Sequence, residues 1–155
     1  FNTLIGSIPG ALPVIGGWTA ATNDINSVSW ILFSILFCWQ IPHFLAIAII
    51  YSNDYKKGGF KMLPSEYPNS KHTQYHILFF SIAMIGTSIG LYFSQEIIDF
   101  GYLFGISIIG SFFLFVVLQF LRDSSNKNAR KLMVATLFYF PLMFILIILD
   151  VLDFI

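Results

Sequence analysis

The sequence is poor in charge. Lys, Arg, Asp and Glu make up 10% of its 155 residues, where an ordinary soluble domain carries about 25%. With 57% hydrophobic and 18% aromatic residues, a soluble fold of this size has too little polar surface to cover its apolar side chains. That excludes the soluble class and indicates an integral membrane protein. Eight basic residues balance eight acidic ones, and no basic face or arm is present, so nucleic-acid binding is excluded. A single cysteine, Cys38, lies inside an apolar run; it rules out an internal disulfide and reads as a small packing residue. Alternating polar and apolar strand patterns are absent, which excludes a membrane β-barrel. No signal peptide is visible. The chain starts at Phe1 in mid-pattern and reads as a piece of a longer protein.

What the sequence does hold is a series of long apolar runs. A membrane-crossing helix needs about 20 mostly apolar residues, and five runs qualify: about 3–22, 30–51, 75–93, 100–121 and 132–149. None contains Asp, Glu, Lys or Arg. The expected fold is therefore all-α, with five transmembrane helices joined by loops at 52–74 and 122–131 on one side. Those two loops hold all the basic residues: Lys56, Lys57, Lys61 and Lys71 in the first, Arg122, Lys127, Arg130 and Lys131 in the second. The other connections and the C-terminal end carry Asp24, Glu96, Asp99, Asp150 and Asp153. Five spans put both basic loops on one side, and the positive-inside rule makes that side cytoplasmic, or the matrix in a mitochondrion.

In the first run Gly6 and Gly10 form a GxxxG pair, and Pro9, Pro13, Gly16 and Gly17 are expected to interrupt the helix. Close packing at small residues is one reading, and a bent helix around a cavity is the other. The pairs Gly86/Gly90 and Gly101/Gly105 are read as packing positions.

The stretch "WQIPHFLAIAIIYSNDYKKGGFKMLP", residues 39–64, passes from apolar helix to lysine-rich loop. If the helix continues, Gln40, His43, Ile47, Tyr51 and Asp54 fall within about 80° of one another at 100° per residue. Polar groups in a span face the protein interior or a wet cavity, so this stripe points inward and runs toward the basic side. Bland readings exist for each member. His43 suits a hydrogen bond to a neighbouring span, Trp39 suits packing, Asp54 suits a turn, and the lysines suit an interfacial loop. Their co-occurrence points to an anionic head at the mouth and an apolar body inside. Carboxylates hold Mg²⁺, which binds phosphate oxygens, and lysines bind phosphate as point charges.

"NTLIGSIPGALPVIGGW", "WQIPHFLAIA" and "NDYKKGGFKMLP" resemble the C-terminal half of haem O synthases, the protohaem IX farnesyltransferase family of UbiA-type intramembrane prenyltransferases. The specific motifs cover residues 2 to about 73. The resemblance implies a nine-helix ring around a central cavity, with the five spans here as helices five to nine. It implies transfer of the farnesyl group of farnesyl diphosphate to a vinyl carbon of haem B, giving haem O, with Mg²⁺ as cofactor. It implies a second acidic motif at "NDY", with Asp54 in its second acidic position and Asn53 where relatives often carry Asp or Glu. On this resemblance Asp54 and Tyr55 are the candidate catalytic residues. Asp54, with Asn53 and Lys57, is the candidate Mg²⁺–diphosphate site; Lys57 is a local electrostatic expectation, outside the motif. His43 is expected to meet haem, as an axial ligand or a propionate partner. Gln40, Trp39, Asn2 and Thr3 are expected to line the substrate cavity. The first acidic motif is expected in the N-terminal half, without which this piece is expected to be inactive. The implied setting is a bacterial inner membrane, ahead of a mitochondrial one, and the implied partners are haem A synthase or oxidase assembly factors. Two alternatives remain open: a UbiA-type enzyme with a quinone precursor or another ring as acceptor, and a non-enzymatic transporter or subunit, since broken helices also occur in transporters.

Overall fold

The computed structural model describes residues 2–59, 70–94 and 98–152. It contains six helices among these residues and no strand: α1 Asn2–Thr22, α2 Ser27–Ile50, α3 Ser52–Lys57, α4 Lys71–Ser94, α5 Phe100–Arg122 and α6 Asn126–Val151. All except α3 are long and apolar enough to cross a membrane. In hydrocarbon every backbone N–H and C=O needs an internal partner, which a continuous helix supplies.

The helices run further than the hydrophobic runs. Asn26 starts α2 three residues before the expected Trp30: its Oδ1 accepts from the N–H of Val28 at 3.1 Å and of Ser29 at 3.4 Å, as an N-cap side chain does. The expected loop at 122–131 shrinks to 123–125, because Lys127, Arg130 and Lys131 occupy the first turns of α6. The expected loop at 52–74 holds α3 and the first turn of α4. Long basic side chains can ride on a helix leaving the hydrocarbon while their heads reach water, so a charge marks the membrane edge and not the helix edge. Lys61, Glu96 and Asp153 lie outside the described residues.

The expected interruption of the first span does not occur. α1 is continuous through Pro9 and Pro13, as α2 is through Pro42 and α6 through Pro141. Each proline removes one donor from the helix ladder, a loss that membrane helices tolerate.

α2 is central. It packs against α1, α4 and α6, while α5 packs against α4 and α6. Its fully buried residues include Ile35, Ile41, Ala46 and Ala48. Two glycines mark close approaches. A Cβ on Gly105 of α5 would stand 2.7 Å from Leu146 Cδ2 of α6, and one on Gly10 of α1 would strike Gln40 Oε1 of α2. Gly86 and Gly90, expected to pack, instead face open space: an added Cβ would meet nothing within 4 Å among the described residues.

Buried polar groups tie α4, α5 and α6 together. Tyr102 donates to the Ser88 carbonyl at 2.9 Å, Tyr139 donates to Ser88 Oγ at 3.0 Å, and Ser88 donates to the Met84 carbonyl at 2.8 Å. At the acidic end Asp150, 2% exposed, accepts the N–H of Asp99 at 2.6 Å and of Tyr102 at 3.0 Å. A carboxylate near the end of α6 thus caps the N-terminus of α5, where the first turn leaves orphan donors and a positive partial charge.

Antiparallel connection places the end of α2, α3, the start of α4, the end of α5 and the start of α6 at one end of the bundle. Lys56, Lys57, Lys71, Arg122, Lys127, Arg130 and Lys131 all lie there, and Asp24, Asp99 and Asp150 lie at the other end.

Candidate functional site

The mouth is built where α2 stops. Tyr51 adopts φ −105° and ψ 25°, outside the helical ladder. Its N–H still bonds the Ile47 carbonyl at 3.0 Å, while its own carbonyl accepts from Asp54 N–H at 3.0 Å and Tyr55 N–H at 3.1 Å. The chain therefore turns at Tyr51 and restarts as α3. Gly58 N–H closes α3 onto the Asp54 carbonyl at 2.9 Å, and Gly59 follows with φ +73°, a left-handed conformation that glycine adopts without a steric cost.

This turn changes the expected stripe. The shared face of Gln40, His43 and Asp54 assumed a helix continuing to position 54, and α3 is a separate element. Tyr51, Asp54, Tyr55 and Gly58 line an open depression of about 280 Å³. Asn53, Asp54 and Lys57 are exposed and Tyr55 is half-buried. Among the described residues no group of three or more His, Cys, Asp or Glu is placed to hold a metal ion. Among the described residues Asp54 is the carboxylate lining this depression, with the Asn53 amide next to it in sequence.

Deeper in the bundle, α2 presents a second constellation to α6. Trp39 and His43, one turn apart, stack with ring centroids 4.8 Å apart and planes 12° from parallel. Trp39 Nε1–H donates to the backbone carbonyl of Thr136 at 2.6 Å. His43 Nδ1 and Thr136 Oγ1 are hydrogen-bonded at 2.8 Å, and the Thr136 hydroxyl donates to the Met133 carbonyl at 2.6 Å. Phe140 adds a tilted ring 5.6 Å from Trp39, and Phe44 an edge-on ring 5.7 Å from His43. Thr136 is fully buried and His43 half-buried.

Gln40 is not part of that cluster. It is 5% exposed, and its Nε2 donates to the carbonyls of Ser7 and Leu36, both at 3.4 Å. The 60° between Gln40 and His43 on the helix wheel sends one to α1 and the other to α6. Thr3 is half-buried at the basic end, and its carbonyl accepts the Ser7 hydroxyl at 2.8 Å. Its neighbour Leu4 faces Tyr75, His76, Phe79 and Phe80 of α4 across a cavity of about 330 Å³. The side chain of Asn2 lies outside the described residues. Thr136 has no counterpart in the sequence reading, since a threonine in an apolar helix carries no signal of its own.

Three comparisons bear on this arrangement. The profile of the UbiA prenyltransferase family matches residues 1–148. The chain is similar to the Protoheme IX farnesyltransferase of Salinibacter ruber, 32% identical over 152 residues, covering 97% of this chain and 53% of that protein. It is similar to the Protoheme IX farnesyltransferase of Solibacter usitatus, 35% identical over 153 residues, covering 97% and 51%. A shorter stretch of 66 residues is 54% identical to the Protoheme IX farnesyltransferase of Bacillus pumilus, covering 43% of this chain and 22% of that protein. The chain spans about half the length of the curated relatives it matches end to end. No solved structure matches it.

Proposed function

We propose, from the premise that this chain belongs to the UbiA prenyltransferase family, that it is the C-terminal part of an enzyme that farnesylates haem B. The reaction joins the farnesyl group of farnesyl diphosphate to a vinyl carbon of haem B, with addition of water, to give haem O. The observation that carries this reading is similarity to Protoheme IX farnesyltransferases along nearly the whole chain. The alternatives with another acceptor or no enzymatic activity have no comparable support.

The mouth supports the diphosphate half of the reading. The exposed Asp54 carboxylate fits Mg²⁺ bound jointly with phosphates, because Mg²⁺ is commonly held through one or two carboxylates and keeps several waters. Asp54 would hold the ion, with the Asn53 oxygen as a second donor; once bound, Mg²⁺ offsets the charge that develops on the departing diphosphate. Lys57, on α3, adds a cation to the same end. Tyr55 lines the same depression and is the hydroxyl suited to orient a phosphate oxygen. The inner constellation supports the haem half. Trp39, His43 and Phe140 offer flat aromatic surface for a macrocycle, and the imidazole is suited to meet its iron or a propionate. An aromatic, dry wall also keeps water from the allylic cation until the vinyl group attacks.

The basic end is cytoplasmic in this reading, in a bacterial inner membrane. Haem A synthase and oxidase assembly factors are the proteins that would take the product onward. The chain by itself, half the length of its relatives, is expected to be inactive.

The test uses the intact protein in detergent or nanodiscs with haem B, farnesyl diphosphate and Mg²⁺. Mass spectrometry is expected to detect haem O from wild type and at least 100-fold less from Asp54→Ala, the scale of removing one preorganised charge-stabilising group. A folded preparation that produces no farnesylated haem refutes the assignment. Undiminished product from Asp54→Ala refutes the role of Asp54.

A further inference from the structure

The hydrogen bonds around Thr136 fix the protonation pattern of His43. A hydroxyl has one proton to donate and two lone pairs with which to accept. Thr136 Oγ1 lies 2.6 Å from the Met133 carbonyl oxygen. Two oxygens this close need a proton between them, since O–H···O bonds fall at about 2.5–3.0 Å, and a carbonyl has none to give. The Thr136 proton is therefore committed to Met133. The 2.8 Å contact with His43 Nδ1 must then be an N–H donated by the imidazole. In the neutral ring one nitrogen carries the proton and the other accepts, so Nε2 keeps its lone pair.

We propose that Thr136 is a positioning residue that holds His43 as the Nδ1–H tautomer and leaves Nε2 free to bind the haem iron. This deepens the haem reading above and rests on it. Histidines that bind metals almost always donate their other ring N–H to a fixed acceptor, which sets both tautomer and ring orientation. Thr136 supplies that acceptor from α6, and the Trp39 stack restrains the ring plane from the other direction. Trp39 is itself tied to Thr136 through the backbone carbonyl, so a single residue of α6 registers both rings. No described residue is hydrogen-bonded to His43 Nε2, which leaves it available to a substrate.

Two measurements on the intact protein separate this inference from the haem reading. The first is ¹⁵N NMR of histidine-labelled protein without haem, with His43 identified by its loss in His43→Ala. Wild type and Thr136→Ser are expected to show a protonated Nδ1 and an unprotonated Nε2. Thr136→Val, which keeps the branched shape without the hydroxyl, is expected to lose that pattern. A protonated Nε2 in wild type, or an unchanged pattern in Thr136→Val, overturns the role of Thr136. The second is stepwise addition of haem B followed by absorption spectroscopy. Wild type and Thr136→Ser are expected to give an imidazole-ligated spectrum, His43→Ala to lose it, and Thr136→Val to weaken binding at least about tenfold, as other losses of a ligand's supporting partner do. If the NMR pattern is as expected but haem binds identically to wild type, His43→Ala and Thr136→Val, the haem contact is refuted and the tautomer assignment stands. Thr136→Ser keeps the test readable even if the valine variant folds poorly.

Discussion

Replacing Asp150 by alanine tests whether a single buried carboxylate holds the acidic end of the bundle. Asp99 occupies the N-cap position of α5, yet its own side chain makes no capping hydrogen bond. The capping oxygens come instead from Asp150, at 2.6 Å from Asp99 N and 3.0 Å from Tyr102 N. Truncation removes both acceptors and the negative charge facing the α5 N-terminus. A buried donor left unsatisfied costs about 1–3 kcal/mol. Tyr102 N–H is buried and bears that cost in full, while Asp99 N–H is partly exposed and recovers some of it from water. The lost charge–dipole term adds about 0.3–1 kcal/mol. The expected destabilisation is therefore about 2–4 kcal/mol for Asp150→Ala, and about half that for Asp150→Asn, which keeps one acceptor oxygen. Reversible unfolding in mixed micelles measures the loss, and hydrogen exchange at Asp99 and Tyr102 locates it. Because Asp150 and Asp54 lie at opposite ends of the bundle, binding of farnesyl diphosphate should be unchanged in variants that remain folded. An Asp150→Ala protein within about 0.5 kcal/mol of wild type, the range of an ordinary surface substitution, would refute the capping role.

Further outcomes follow from the packing. Gly105→Ala drives a Cβ into Leu146 and is expected to cost about 1–3 kcal/mol as an overpacked contact; Leu146→Ala should reduce that cost in the double variant, and strict additivity of the two would show that they do not touch. Tyr139→Phe removes the 3.0 Å bond to Ser88 and should cost about 0.6 kcal/mol, the average for a hydrogen bond between membrane helices, with no effect on haem binding. Cysteines placed at Lys127 and Asp24, in a Cys38→Ala background, should react with an impermeant thiol reagent from opposite sides of sealed vesicles; labelling of both from one side would exclude the five-span arrangement.

The spans were legible because lipid demands apolar residues over the whole length of a crossing helix, a pattern that needs no knowledge of neighbours. Their ends were not. Ser27 and Asn126 begin helices in polar sequence, and hydropathy does not register a cap such as Asn26. The turn at Tyr51 was equally hidden, since neither glycine nor proline marks it, and an unbroken wheel placed Asp54 in line with His43. Lateral partners were the hardest part. The wheel put Gln40 and His43 on one broad face, but a helix at the centre of a bundle meets a different neighbour every 60–100°. Trp39 and His43 did share a cluster, as their one-turn spacing requires. Thr136, 93 residues from His43, could be found only once α2 and α6 were seen side by side. Asp150 entered only as one of the acidic residues opposite the basic loops, and nothing near it in sequence shows that its partners lie some 50 positions earlier.

The separation of lysines and arginines from the aspartates at the far end also makes the molecule an electrical object. In an energised membrane each elementary charge moved across the full potential is worth about 2.3 kcal/mol per 100 mV. A molecule seated with its cationic end toward the electrically negative compartment lies with that field, and an upside-down one lies against it. In the orientation proposed above, with the basic end cytoplasmic, a respiratory potential would reinforce the seating of this protein in the bilayer.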